Sequence, residues 1–103
     1  MSYEERHRVP GSQPYLRGHF SGNPVVPAVI ILELVLETIR RWKGDVVVTR
    51  VPNAKFMAPL RPDVDFRICL KDSSDRAIGF ECKARGLVFA SGTADVGVSD
   101  SAK

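Results

Sequence analysis

Residues 28 to 36, Ala-Val-Ile-Ile-Leu-Glu-Leu-Val-Leu, put apolar side chains on every face of a helix. A helix that is apolar all round is a buried one, so the rest of the chain has to wrap it. Pro27 suits the first helical turn, where a missing N–H is no loss. The second half turns polar, and Arg40, Arg41 and Lys43 complement the negative helix C-terminus. Gly44 fits the position just past the end. The pattern predicts a helix from Pro27 to Lys43, a rod of roughly 25 Å.

Beyond Gly44 the chain reads as strands. Asp45–Val51 is rich in valine, and Ala54–Met57 forms a second, short apolar run before the turn Pro59-Leu60-Arg61-Pro62-Asp63. Val64, Phe66, Ile68 and Leu70 then alternate with Asp65, Arg67, Cys69 and Lys71, the signature of a half-buried strand. A hairpin turn is expected at Asp72–Asp75. Ile78, Phe80 and Cys82 continue the alternation until Gly86 breaks it. The last strand, Leu87–Val98, shows a small-sided face of Val88, Ala90, Gly92, Ala94, Val96 and Val98, against which a helix could lie close. Ahead of the helix, Tyr3–Val9 reads as a short edge strand and Pro10–Pro24 as loop. One helix and an antiparallel meander make an α+β domain, a curved sheet wrapped around a central helix. A chain of 103 residues is one such domain, with residues 1–14 as an N-terminal arm and 99–103 as a tail.

Size also bears on function. A domain this small buries one core but has little room for a deep cavity of its own, so a substrate pocket is more easily built between two copies. The net charge of +3 is too mild for a nucleic-acid binder, which shows a denser basic stripe, yet it is compatible with an acidic partner. Arg17, Arg40, Arg41, Lys43, Arg61 and Arg85 are candidates for docking one. No stretch approaches the ~18 apolar residues of a membrane span, and Met1–Gly11 lacks the apolar core of a secretory signal. A cytosolic protein is the expectation. Cys69 and Cys82 lack ligand-type spacing, which points to two free thiols and no metal site. His7 reads as an exposed residue of the strand or arm.

The chemistry-bearing stretch is Gly18-His-Phe-Ser-Gly-Asn-Pro-Val-Val-Pro-Ala28 and then the helix with Glu33. A histidine, a carboxylate and the free amides of a first helical turn can supply a base, an acid and an oxyanion site. This motif resembles that of the hotdog-fold 3-hydroxyacyl-thioester dehydratases, His-Phe-Pro-Gly-x-Pro-x-x-Pro-Gly, with Glu or Asp fourteen residues after the histidine. Lys55-Phe-Met-Ala-Pro-Leu-Arg-Pro-Asp63 resembles the family's second motif, an apolar strand ending in a Pro-Leu-x-Pro-Gly turn. Ser21 stands where the family has Pro, Ala28 where it has Gly, and Asp63 where it has the turn Gly. The short region before the histidine is more like the compact dehydratases of polyketide-type and aryl-polyene-type pathways.

The resemblance implies a hotdog fold and a lyase that converts a 3-hydroxyacyl thioester, on acyl carrier protein or coenzyme A, to the trans-2-enoyl thioester. It implies no metal and no organic cofactor. His19 would be the base and Glu33 the acid, contributed by opposite subunits of a homodimer or higher assembly. The apolar helical neighbours Val29, Ile30 and Leu36 would keep the Glu33 carboxyl dry and protonated. The amide of Ala28 would hold the thioester oxygen, with Val29, Phe20 and Gly22 lining the substrate. A hotdog thioesterase and a non-catalytic acyl-binding subunit are the competing readings.

Overall fold

The computed structural model describes residues 1–13 and 24–98. In chain order the elements are β1 (Ser2–His7), α1 (Ala28–Lys43), β2 (Val46–Phe56), β3 (Phe66–Ser74), β4 (Ala77–Ala84) and β5 (Leu87–Val98). The five strands form one antiparallel sheet in the order β1-β3-β4-β5-β2. The helix lies across its inner face, and the core is what the two share: Ile31, Val35 and Ile39 from α1, Phe66, Ile68 and Leu70 from β3, and Ile78, Phe80 and Cys82 from β4. Each fully buried aliphatic contributes about 2 kcal/mol by leaving water. Burial pushes the Cys82 thiol up to about 12, which leaves it inert, and both cysteines are free.

The helix begins after Pro27 and ends at Gly44, whose φ of 72° favours glycine and whose N–H reaches the Arg40 carbonyl at 2.8 Å. It is not buried all round. Ile31, Val35, Thr38 and Ile39 face the sheet, while Ala28, Val29, Glu33 and Glu37 are open to solvent. One sheet covers one stripe of a helix, and the apolar surplus of this one exceeds that stripe.

Three strand expectations are corrected. Asp45–Val51 and Ala54–Met57 are one strand, β2, with register shifts between Val48 and Arg50 and between Arg50 and Asn53. Pro52 falls in the second shift. An edge strand tolerates a residue without an N–H, so the run continues through it. The β3–β4 turn is tighter than expected: β3 runs to Ser74, and Asp75-Arg76 alone make the turn, with the Arg76 amide donating to Ser74 Oγ at 3.3 Å. A bulge between Cys82 and Lys83 also buries Phe89 beside Ala90, and Phe89 meets Phe66 edge-on at 5.7 Å.

The small-sided face of β5 makes room for a side chain of β4. Gly92 pairs with Phe80, and a Cβ on Gly92 would stand 2.6 Å from Phe80 Cζ and 2.5 Å from the Asn53 carbonyl oxygen. The ring occupies the room the glycine leaves.

His7 is the other correction. Its side chain is only 11% exposed and faces the helix. Odd-numbered residues of β1 point inward, and together they clasp the C-terminal half of α1. Tyr3 stacks on Trp42 at 5.9 Å and donates to Glu5 Oε2 at 2.7 Å. Arg41 holds Glu5 through Nε at 3.1 Å and Nη2 at 2.6 Å. Thr38 donates its hydroxyl proton to the Leu34 carbonyl at 2.7 Å. It therefore accepts from His7 Nε2 at 3.2 Å, and the same N–H faces Glu5 Oε1 at 3.0 Å. This assigns the proton of the neutral imidazole to Nε2.

These contacts set the response to mutation and to acid. Gly92→Val has to displace a backbone carbonyl and a buried ring, and should lower stability by about 2–3 kcal/mol in urea unfolding. Acid should loosen the clasp in two stages. Burial holds the His7 imidazole below its usual value, so the stability tied to its neutral form is present above about pH 6.5 and is lost as pH falls below that. The Arg41 guanidinium holds Glu5 at about 2, so its contribution is present above about pH 4.5 and is lost between there and pH 2. Urea midpoints at pH 7.5, 5.5 and 3.5 should fall in that order, and Glu5→Gln should flatten the lower limb.

Candidate active site

At one end of the sheet the start of α1 meets the end of β2. Val25, Pro27, Ala28, Ile31, Met57 and Pro59 are among the lining of a groove of about 460 Å³ there. Its walls are tied down by backbone. The Val26 amide donates to the Leu60 carbonyl at 2.8 Å, and the Met57 amide donates to the Phe89 carbonyl at 2.8 Å. Val26 and Leu60 are buried beneath it. Phe56 and Met57 nonetheless keep 38% and 47% of their surface exposed, and Val29 keeps 61%. An apolar groove with exposed large side chains at its rim is a place for an apolar ligand or a partner.

The polar feature of the groove is the helix start. No side chain caps it, and the first turn holds no acid. The Ile30 and Ile31 amides turn back to the Pro27 carbonyl at 3.0 and 3.3 Å. The amides of Ala28 and Val29 precede the first intrahelical bond and carry the positive end of the helix dipole. A developing negative charge in the groove would be stabilised there. Ala28 does not have positive φ, so its methyl sits without backbone strain where the family has glycine.

Asp63 does take the turn-glycine conformation, with φ 64°. Its side chain repays the strain locally: Asp63 Oδ1 accepts from the Gly11 amide at 3.0 Å, and the Asp63 amide donates to the Val9 carbonyl at 2.8 Å. The departure from glycine thus ties the turn after the groove to residues 9–11, which lead into the histidine motif. A Cβ at Gly11 would stand 2.7 Å from Asp63 Oδ2, so both residues fit one geometry.

Ala28 and Val29 lie in the first turn of α1, and Ala28 lines the groove. Glu33 is one turn above Val29 on the same helix face, exposed to solvent. Its own chain does not supply the dry surrounding expected of it. His19, Phe20 and Gly22 lie outside the described residues, as does Arg17. Of the cations expected to dock a partner, Arg41 is engaged by Glu5, and Lys43 by Asp72 at 2.8 Å. Among the described residues no cluster of three or more metal-ligating side chains occurs, and no helix is long and apolar enough to cross a membrane.

A curved antiparallel sheet clasping one helix, with an apolar groove at the helix start, is the hotdog fold. Solved structures agree. An uncharacterized protein from Erwinia carotovora subsp. atroseptica superposes with a TM-score of 0.82 at 20% identity, over 94% of this chain and 83% of that one. The dehydratase heterocomplex ApeI:P from Xenorhabdus doucetiae gives 0.79 at 17% identity, over 92% and 86%. A gentisyl-coenzyme A thioesterase gives 0.68 at 13% identity, over 91% and 87%, so fold alone does not choose a reaction.

Sequence narrows the class. The model of the ApeI-like family, ApeI dehydratase, matches residues 2–93, and the chain belongs to that family. The 3-hydroxyacyl-[acyl-carrier-protein] dehydratase FabZ of Caulobacter sp. (strain K31) is 29% identical over 82 residues, 70% of this chain and 50% of that protein. FabZ of Zymomonas mobilis is 31% identical over 87 residues, 75% and 55%. The chain spans about half the length of the curated relatives it matches.

The Asp63 geometry makes a graded prediction. Asp63→Ala loses the bond to Gly11 and keeps a side chain at positive φ, which should cost about 2 kcal/mol. Asp63→Gly loses only the bond and should cost about half as much. Thermal unfolding of the two variants checks the order, and the reverse order would contradict the assignment.

Proposed function

We propose that this protein is a dehydratase that removes water from a 3-hydroxyacyl thioester borne by acyl carrier protein, giving the trans-2-enoyl thioester. The observation that carries the reading is the family match over residues 2–93, joined to an apolar groove at the uncapped helix start of Ala28. The FabZ relatives are named for this reaction on this carrier.

In the proposed mechanism the acyl chain lies in the groove with its thioester oxygen on the amides of Ala28 and Val29. The His19 imidazole takes a proton from C2. Negative charge gathers on the thioester oxygen, and the helix start stabilises it. As the C2–C3 double bond forms, the C3–O bond breaks and the leaving oxygen takes the proton of the Glu33 carboxyl, departing as water. His19 then gives up its proton and Glu33 regains one through solvent. The steps require neither metal nor organic cofactor.

The acid is proposed to come from a second copy. Val29 and Glu33 share an open helix face, and among the described residues β2 is an edge strand with one side unpaired. A second copy covering that face would enclose Glu33 and supply the surrounding a general acid needs. An open apolar face and a long edge are what a single domain does not keep without a partner.

Hydration of a short enoyl thioester, run in reverse, tests the reaction. The conjugated absorbance should decay while the thioester stays intact, whereas release of free thiol would indicate a thioesterase and no change an idle subunit. His19→Ala and Glu33→Gln should each lose at least ~100-fold in rate. Co-refolding the two inactive variants should regain roughly a quarter of wild-type activity, because half the dimers then carry one intact site of two. No regain would place both groups in one chain.

A further inference from the structure

Of the two motif departures among the described residues, Asp63 holds a turn, whereas Ala28 is among the lining of the acyl groove. Ala28 is the first residue of α1, open to solvent, and its φ is not positive. In a helix every Cα–Cβ bond tilts toward the N-terminus, and the amides of the first turn point the same way. The methyl and the N–H of Ala28 therefore face one end of the helix from one carbon. An oxygen accepting from that N–H is held about 2.9 Å from the nitrogen, with the methyl beside it.

The groove is stiff at this point. The Pro27 carbonyl, just ahead of the helix, accepts from the Ile30 and Ile31 amides at 3.0 and 3.3 Å. Val26 is bonded straight across to the other wall, its amide donating to the Leu60 carbonyl at 2.8 Å. That wall is held in turn by the Met57 and Ala58 amides, which share the Phe89 carbonyl at 2.8 and 3.4 Å. The two walls are thus pinned to each other immediately before Ala28, and neither can retreat from bulk added beside the methyl. Farther along, the groove is softer. Met57 keeps 47% of its surface exposed, and an unbranched thioether side chain adapts to what lies against it.

The consequence for substrate choice rests on the thioester placement proposed above. The sulfur leads out toward the carrier and the acyl chain runs into the groove, so the carbon nearest the Ala28 methyl is C2. We infer that Ala28 is a specificity-determining residue, whose methyl selects 3-hydroxyacyl thioesters unsubstituted at C2 and excludes those that carry a methyl there. A glycine at this position would keep the amide that holds the oxygen and leave a methyl-sized space beside C2. The adaptable wall at Met57 puts no such limit on the chain beyond.

Dehydration of 3-hydroxybutanoyl and 3-hydroxy-2-methylbutanoyl N-acetylcysteamine thioesters, followed by the rise of conjugated absorbance, tests this. The quantity read is the ratio of kcat/KM, branched over unbranched, in which a general loss of activity cancels. Ala28→Gly should raise that ratio about tenfold or more, the lower range for one methyl in an apolar pocket. Ala28→Ser keeps a Cβ and should leave the ratio within about twofold of wild type. The wild type supplies a check without mutation: the unreactive butanoyl thioester should compete with substrate about tenfold better than the 2-methylbutanoyl thioester. A ratio unmoved by Ala28→Gly, a ratio raised as much by Ala28→Ser, or equal competition by the two saturated thioesters would overturn the inference and leave the dehydratase reading standing. No dehydration by any form would overturn both.

Discussion

Everything in this fold is arranged around one contact, the stripe Ile31-Val35-Thr38-Ile39 of α1 pressed on the inner face of the sheet. Its 3.6-residue spacing fixes the rotation of the helix. That rotation turns Val29 and Glu33 outward and sets Ala28 over the end of β2. The same contact sets the first turn of the helix beside the groove between α1 and Met57–Pro59. A helix rotated by one residue would bury Leu32 and Leu36 in its place and carry Glu33 toward the core, where its charge would have no partner.

The clasp between β1 and α1 shows how the helix is held at its far end. Thr38 is the one fully buried polar side chain of the stripe, and its hydroxyl is satisfied in both directions, by Leu34 and by His7. Glu5 in turn joins Tyr3, His7 and Arg41. The N-terminal strand is therefore more than an edge. It closes the sheet over the helix through charge-assisted bonds, which are stronger than neutral ones and more sensitive to acid.

The sequence was legible where the signal is local. Pro27, Gly44 and the apolar period define the helix to within a residue, and the strict alternation in 64–71 and 78–82 defines two strands and their inner faces. The second motif, read as an apolar strand ending in a turn, falls at the end of β2, where Met57–Leu60 line the groove. Features that depend on register could not be read in the same way. Phe89 is buried because a bulge shifts β5 by one residue. Gly92 matters because Phe80 is its cross-strand partner, and Pro52 is tolerated because β2 is an edge. His7 looked like an exposed arm residue because nothing in its own neighbourhood names Thr38, thirty-one positions away. The all-round apolar helix was read as buried within its own chain, whereas one sheet can bury only one stripe of it.

That surplus links the fold to the proposed chemistry. A carboxyl that protonates a leaving hydroxide works best away from water, and Glu33 stands on the face its own sheet leaves open. Val29 shares that face. A second copy that covers the apolar surplus also encloses Glu33, so a single act of association would relieve both the exposed surface and the hydrated acid. On this reading the all-round apolar helix is not excess core. Half of it is the core of the monomer and the other half is the interface that completes the site. The departures at Ala28 and Asp63 leave this arrangement intact, since one keeps its amide on a helical backbone and the other adopts the conformation of the glycine it replaces.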